Sequence, residues 1–161
     1  MSEPQKPVPE ILALRQAQAV CLGHMQALKE ALDDLAEQPS VMSGLEPLDK
    51  NGRRLLDQFA YRYTRLQDDM GARLMPSILQ ALGEDVAVMP ALDRFARLEQ
   101  LGWLPSAQAW GTLRQIRNQF THDYTEDPAQ RAFRLQAALR AARELSDIMA
   151  GLQRRLQERF P

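Results

Sequence analysis

Apolar residues recur at alternating steps of three and four along two long stretches of this chain of 161 residues. That spacing places them on one face of an α-helix, whereas a half-buried β-strand would show strict alternation. The first stretch begins near Glu10, and the last runs from Pro128 to about Phe160. The inward-facing positions predicted for these two helices are Ile11, Leu14, Cys21, Met25, Leu28, Leu32 and Leu35, then Leu135, Leu139, Ala142, Leu145, Met149, Leu152 and Leu156. No stretch shows a period of two, so we expect an all-α fold.

Three further helices are predicted between these two. One starts near Leu48 and is kinked or interrupted at Pro76, because proline lacks a backbone N–H and crowds the preceding turn. A shorter helix, with Leu92 on its apolar face, stops at Gly102. The next begins after Ser106, a good N-cap residue.

Long helices joined by short connections predict an antiparallel bundle of four to five helices. We assign residues 10–161 to this single domain and residues 1–9, which hold three prolines, to a flexible leader. Asp127 is expected to cap the last helix, and the following proline suits its first turn. The length of that helix leaves surface to spare, which suggests a homodimer.

Composition excludes several classes of protein. The net charge of −1 excludes a strongly basic protein that binds nucleic acid through its overall charge alone. The charge is uneven, however, because residues 106–161 carry nine arginines against six acidic groups. One cysteine and two histidines leave nothing for a zinc site, and we expect neither metal nor cofactor. No stretch approaches the roughly 18 apolar residues of a membrane span, and the start MSEPQKPVPE lacks a signal peptide's apolar core. We therefore expect a cytoplasmic protein.

The segment RQIRNQFTHDY on the fourth helix carries an unusual polar stripe. Arg114, Arg117, Asn118, Thr121 and His122 are spaced i, i+3, i+4, i+7 and i+8, so they form one contiguous strip on a helix. This strip lies directly beside an apolar face, at the boundary of the core. The asparagine and the histidine are four residues apart and can hydrogen-bond, which would fix the tautomer of the imidazole.

These side chains permit a narrow range of chemistry. Imidazole, with an ordinary pKa of about 6.5, can accept a proton from a ribose 2′-OH or donate one to a leaving oxygen. Guanidinium can stabilise the charge that develops on phosphorus. The set therefore suits metal-independent RNA cleavage, with a second copy across a dimer axis supplying the missing acid or base. The same residues also fit a solvated or partner-facing helix surface.

Residues 117–124 read R-N-x-φ-x-H-x-Y, where φ is Phe120. This resembles the signature of HEPN domains, in the R-x4-H-x-Y form of the HepT-type toxins of nucleotidyltransferase/HEPN toxin–antitoxin pairs. The resemblance is sharp over residues 113–124 and extends beyond them only as architecture. It implies an all-α HEPN-like bundle with the motif on the penultimate helix, and a homodimer whose two motifs face each other and cleave RNA without metal.

Carried onto this chain, the resemblance makes Arg117 and His122 the catalytic pair. Arg114, Asn118 and Thr121 would bind or orient the substrate. Tyr124 would be the residue that a cognate minimal nucleotidyltransferase, the antitoxin, modifies by adding AMP (AMPylation), since a bulky anion there would block RNA. Two alternatives stay open, a non-catalytic substrate-binding subunit of a nucleotidyltransferase and a plain helical scaffold.

Overall fold

The computed structural model describes residues 8–45, 47–120 and 127–161. Within these ranges the regular structure is entirely helical, and no strand is present. The elements in chain order are α1 (Pro9–Ala36), α2 (Pro39–Ser43), α3 (Lys50–Asp69), a π-helical turn (Met70–Leu74), α4 (Met75–Ala81), a 3-10 turn (Val86–Val88), α5 (Ala91–Gln100), α6 (Ala107–Phe120) and α7 (Pro128–Arg159). The all-α prediction is confirmed for these residues.

Side-chain caps fix where three of the helices begin. Asp49, Ser106 and Asp127 each accept a hydrogen bond from the backbone N–H three residues further on, at 2.7, 3.0 and 3.0 Å. Such a bond satisfies one of the amides that the first turn of a helix leaves unpaired. The predicted caps of α6 and α7 are therefore confirmed, and α7 runs unbroken as expected.

The helices pack as a bundle around one core. α1 lies along α3 and α4, α7 packs against α1 and α6, and α5 packs against α4 and α6. Arg15 near the start of α1 donates to the carbonyls of Phe160 and Pro161, and Gln18 bonds Gln153, so α1 and α7 run antiparallel. All seven positions predicted to face inward on α7 are buried. The periodicity of the sequence thus identified the core face of the longest helix.

The second predicted helix is interrupted ahead of its proline. At the end of the π turn the N–H of Met75 bonds the carbonyl of Met70, five residues back. Pro76, which has no N–H, then takes the first turn of α4. A π turn widens the helix and relieves the crowding that a proline imposes on the carbonyl four residues before it. Pro76 is therefore accommodated by the wider π turn, and α3, this turn and α4 follow one another without a break in helical structure.

Two details differ from the sequence-based predictions. The structure has more helices than four or five, because the π turn separates α3 from α4 and the segment after α1 contains the short α2. Leu92, predicted on the apolar face of α5, is 69% exposed, so that prediction is wrong. It lies in the first turn of α5, and three-and-four spacing alone does not say which turns another element covers.

Candidate functional site on helix α6

The apolar face of α6 fixes the helix against the core. Trp110 and Leu113 are buried, and Ile116 and Phe120 are partly buried against the same core. The Phe120 ring makes edge-to-face contacts with two aromatic rings of α3, each with ring centres 5.8 Å apart. Aromatic pairs in this geometry are stabilising and directional. The end of α6, where the R-N-x-φ-x-H-x-Y segment begins, is therefore held firmly against α3.

Arg117 is held by a carboxylate of α3. Its Nε donates to Oδ1 of Asp68 at 2.9 Å, and its Nη2 donates to Oδ2 at 2.6 Å. Two parallel bonds to one carboxylate fix the plane of a guanidinium as well as its position. The two side chains are 22% and 45% exposed, so the pair adds at most about 1 kcal/mol to stability. Its main effect is to set the direction of Arg117.

Asp68 is a site residue that the sequence-based reasoning missed. It lies 49 positions before Arg117, and nothing in the sequence around it distinguishes it from an ordinary exposed acidic residue on a helix. A pair between two helices depends on how each helix is rotated, which the spacing along one chain does not reveal. The structure therefore adds an acidic partner to the predicted basic stripe.

Arg114 and Asn118 lie where the stripe predicts, on the exposed side of α6. The guanidinium carbon of Arg114 lies 5.2 Å from the ring centre of Phe95 on α5, a cation–π distance. Arg114 and Arg117 are thus anchored by different elements, α5 and α3. Both cations sit at the predicted edge of the core, in defined orientations.

The remaining predicted site residues fall outside the described part of the chain. Thr121, His122 and Tyr124 belong to residues 121–126, so the proposed hydrogen bond from Asn118 to the imidazole has no described geometry. The structure therefore brings together the basic half of the predicted site. The predicted general acid–base and the predicted modification site stay predictions.

Buried polar groups lie on the core faces of α3 and α6. The Tyr63 hydroxyl, both amide atoms of Gln67 and Nε1 of Trp110 are buried without a hydrogen-bond partner among the described residues. Burial raises the pKa of Tyr63, with Arg117 lowering it and Asp68 raising it by smaller amounts. The charged pair is therefore close enough to this hydroxyl to act on it, while the phenol stays neutral.

The described residues offer no grouping of three or more histidine, cysteine or acidic side chains that could hold a metal ion. None of the described helices is long and apolar enough to cross a bilayer. No protein-family model, curated protein or solved structure matches the chain. The likeness to HEPN domains accordingly depends on the sequence of residues 113–124 and on the helical architecture around it.

Proposed function

We propose that this protein is a metal-independent endoribonuclease of the HEPN type, the toxin of a pair whose antitoxin is a minimal nucleotidyltransferase. The observation that carries the proposal is Arg117. It stands at the first position of the R-x4-H-x-Y segment, on a helix pinned to the core, with its guanidinium plane set by Asp68. An arginine so oriented is suited to a phosphodiester, whose two free oxygens match its planar fork.

The reaction uses the RNA's own 2′-OH as nucleophile. The 2′ oxygen forms a bond to phosphorus while the bond to the 5′ oxygen breaks, which leaves a 2′,3′-cyclic phosphate and a free 5′-OH. One His122 takes the proton of the 2′-OH, and an acid returns a proton to the leaving oxygen. Arg117 stabilises the charge on the non-bridging oxygens as they gain it. The balance requires no metal and no redox partner.

A homodimer completes this mechanism. One imidazole is either a base or an acid at a given instant, so the second role falls to His122 of a second copy across a two-fold axis. Arg114, Asn118 and Thr121 bind or orient the RNA. AMP on Tyr124, two residues from the histidine, places a bulky anion at the cleft and excludes RNA by sterics and charge.

The ion pair of Arg117 also favours a second candidate function. A guanidinium that gives two donors to Asp68 has less positive potential to offer a phosphate. In a non-catalytic subunit the same stripe would dock a nucleotidyltransferase and present its substrate. This candidate predicts tight association with such an enzyme and no cleavage by the isolated protein.

The two functions are separated by incubating the purified protein with total tRNA and mRNA in excess EDTA. We expect cleavage that leaves cyclic-phosphate ends, reduced by roughly 100-fold or more in His122→Ala and in Arg117→Ala. Arg140→Ala, which removes an exposed arginine from α7, is the matched control and should cleave like the wild type. Mass spectrometry must first show that Tyr124 is unmodified. An unmodified protein that leaves RNA intact overturns the ribonuclease proposal and favours the docking subunit.

Asp68→Asn tests how the ion pair acts. If Asp68 aims Arg117, the variant binds RNA normally and cleaves it more slowly. If Asp68 competes with the phosphate, the variant binds RNA more tightly, because one negative charge beside the guanidinium is gone. An unchanged affinity with an unchanged rate would show that the pair has no part in the reaction.

A further inference from the structure

A second polar cluster lies between α1 and α3, around the buried carboxylate of Asp69. This residue is 6% exposed. Nε2 of His24 lies 3.3 Å from its Oδ2, and Nη2 of Arg65 lies 3.6 Å from the same oxygen, although neither makes a well-formed hydrogen bond to it. Burying a carboxylate costs several kcal/mol unless charges or donors face it. Because Asp69 is buried, the solubility of the protein gives no reason for a carboxylate at this position.

The contacts of His24 define which of its nitrogens carries a proton. Nη1 of Arg62 lies 3.2 Å from Nδ1 of the imidazole, and a guanidinium in a protein can only donate. Nδ1 is therefore the acceptor, and the ring hydrogen is on Nε2, facing Asp69. The pKa of His24 is lowered by burial and by Arg62 and Arg65, against the opposing effect of the carboxylate. The ring is thus a neutral link between a buried acid and an arginine.

That link orients Arg62 towards an exposed aromatic ring. The guanidinium carbon lies 5.3 Å from the ring centre of Tyr61, whose side chain is 55% exposed. The imidazole of His24 also meets the Tyr61 ring edge-on, with centres 6.4 Å apart. Among the residues that the structure describes, no carboxylate lies within ion-pair distance of Arg62. The guanidinium of Arg62 is therefore a fixed planar cation with most of its charge uncompensated, and it lies beside the exposed ring of Tyr61.

We propose that Tyr61, Arg62 and Arg65 form a binding platform for single-stranded RNA. An unpaired base stacks on the tyrosine and on the guanidinium plane, and the adjoining phosphates contact the two arginines. With His24 neutral and Asp69 charged, the cluster keeps a net positive charge. The proposal deepens the ribonuclease function and depends on it for the identity of the ligand.

The platform is continuous with the candidate site on α6. Tyr61, Arg65 and Asp68 are spaced i, i+4 and i+7 on α3 and so share one face of that helix. Asp68 in turn holds Arg117. A strand lying along this face would pass from the tyrosine towards Arg117 over about 10 Å of helix. The platform would therefore set where along the RNA the cut falls.

The test is the affinity for a fluorescein-labelled 12-nucleotide oligouridylate, measured by fluorescence anisotropy in EDTA on the His122→Ala protein, which keeps the RNA intact. We expect Tyr61→Ala to weaken binding about tenfold, within the range of one lost base stack, with no change in salt dependence. Arg62→Ala should weaken binding and reduce the slope of log K against log salt by about 0.7, the value for one phosphate on a single strand. Arg140→Ala, which removes an exposed charge from a different helix, α7, is the control and should change affinity less than twofold.

His24 is a positioning residue in this scheme, and a double-mutant comparison tests that role. His24→Ala should weaken RNA binding in the parent protein but have no further effect once Arg62→Ala is present, because its effect passes through that arginine. A general loss of stability would act in both backgrounds. Binding by Tyr61→Ala and Arg62→Ala that stays within twofold of the parent overturns the platform.

The outcomes separate this inference from the proposed function. If cleavage depends on Arg117 but the Tyr61 and Arg62 variants bind RNA normally, the platform is refuted and the ribonuclease proposal is retained. Binding that depends on Tyr61 and Arg62 in a wild-type protein that never cleaves RNA upholds the platform and refutes the ribonuclease. A wild-type protein that neither binds nor cleaves RNA refutes both.

Discussion

Removing the His24 imidazole exposes the energetic role of the buried Asp69. In the folded protein His24 lies 3.3 Å from this carboxylate, and the two side chains are only 11% and 8% exposed. His24→Ala takes away the imidazole N–H that faces the buried charge and leaves Arg65, at 3.6 Å, as the cation within ion-pair distance among the described residues. The variant should therefore be clearly destabilised, although the position is on no predicted catalytic stripe.

The size of the effect follows from burial and charge state. Breaking a buried ion pair by removing one partner costs roughly 3–5 kcal/mol. Here the cost is smaller, because the imidazole is neutral at pH 7 owing to its lowered pKa and because Arg65 still faces the carboxylate. We expect a loss of about 2 kcal/mol in the free energy of unfolding, which for a chain of this length lowers Tm by about 4–8 °C.

Urea unfolding of the wild type, His24→Ala, Asp69→Ala and the double variant measures the coupling directly. The double variant should lose at least about 1 kcal/mol less than the two single losses predict together, because the second substitution removes a charge that the first had left uncompensated. The matched control combines His24→Ala with Asp57→Ala, an exposed acid three turns earlier on α3, for which the losses should add. Additive losses for His24 and Asp69 would refute the view that they act as a pair.

Three further predictions concern packing and titration. Gly71→Ala should destabilise the protein by roughly 1–2 kcal/mol, since the new methyl would lie 3.2 Å from the ring of the fully buried Trp110. Gly111→Ala on α6 should instead stabilise it by roughly 0.5–1 kcal/mol, because alanine favours a helix and its methyl would have no described atom within 4 Å to clash with. Urea unfolding measures both changes. Burial chiefly lowers the pKa of His24, so just below pH 6.5 the unfolded protein binds more protons at this residue than the folded protein does. The free energy of unfolding should therefore keep the full contribution of His24 above that pH and fall below it. The same curve should be flatter in His24→Ala. Burial also raises the pKa of Cys21 to about 12, so the native thiol should resist iodoacetamide at pH 8 and react only after unfolding in urea.

The sequence alone was sufficient for the helical class, for the buried face of the longest helix and for two helix starts. Three-and-four spacing identified the buried face of α7, and the capping chemistry of Ser106 and Asp127 located two helix starts, because both depend on residues at most four positions apart. The same local rule failed at Leu92, whose spacing is right but whose turn is exposed. Local patterns define which face of a helix can be buried, and they do not define how much of that face is covered.

The polar contacts that shape the candidate sites were decided by the tertiary structure. Arg117 and the stripe on α6 are visible in the sequence, but the carboxylate that orients Arg117 comes from a helix 49 residues away. The fold likewise places His24 of α1 between Asp69 and Arg62 of α3, and no spacing within α1 indicates either partner. Such pairs form only when two helices meet at a particular rotation and axial position. That relation is set by the packing of the whole core, so no periodicity within a single helix specifies it.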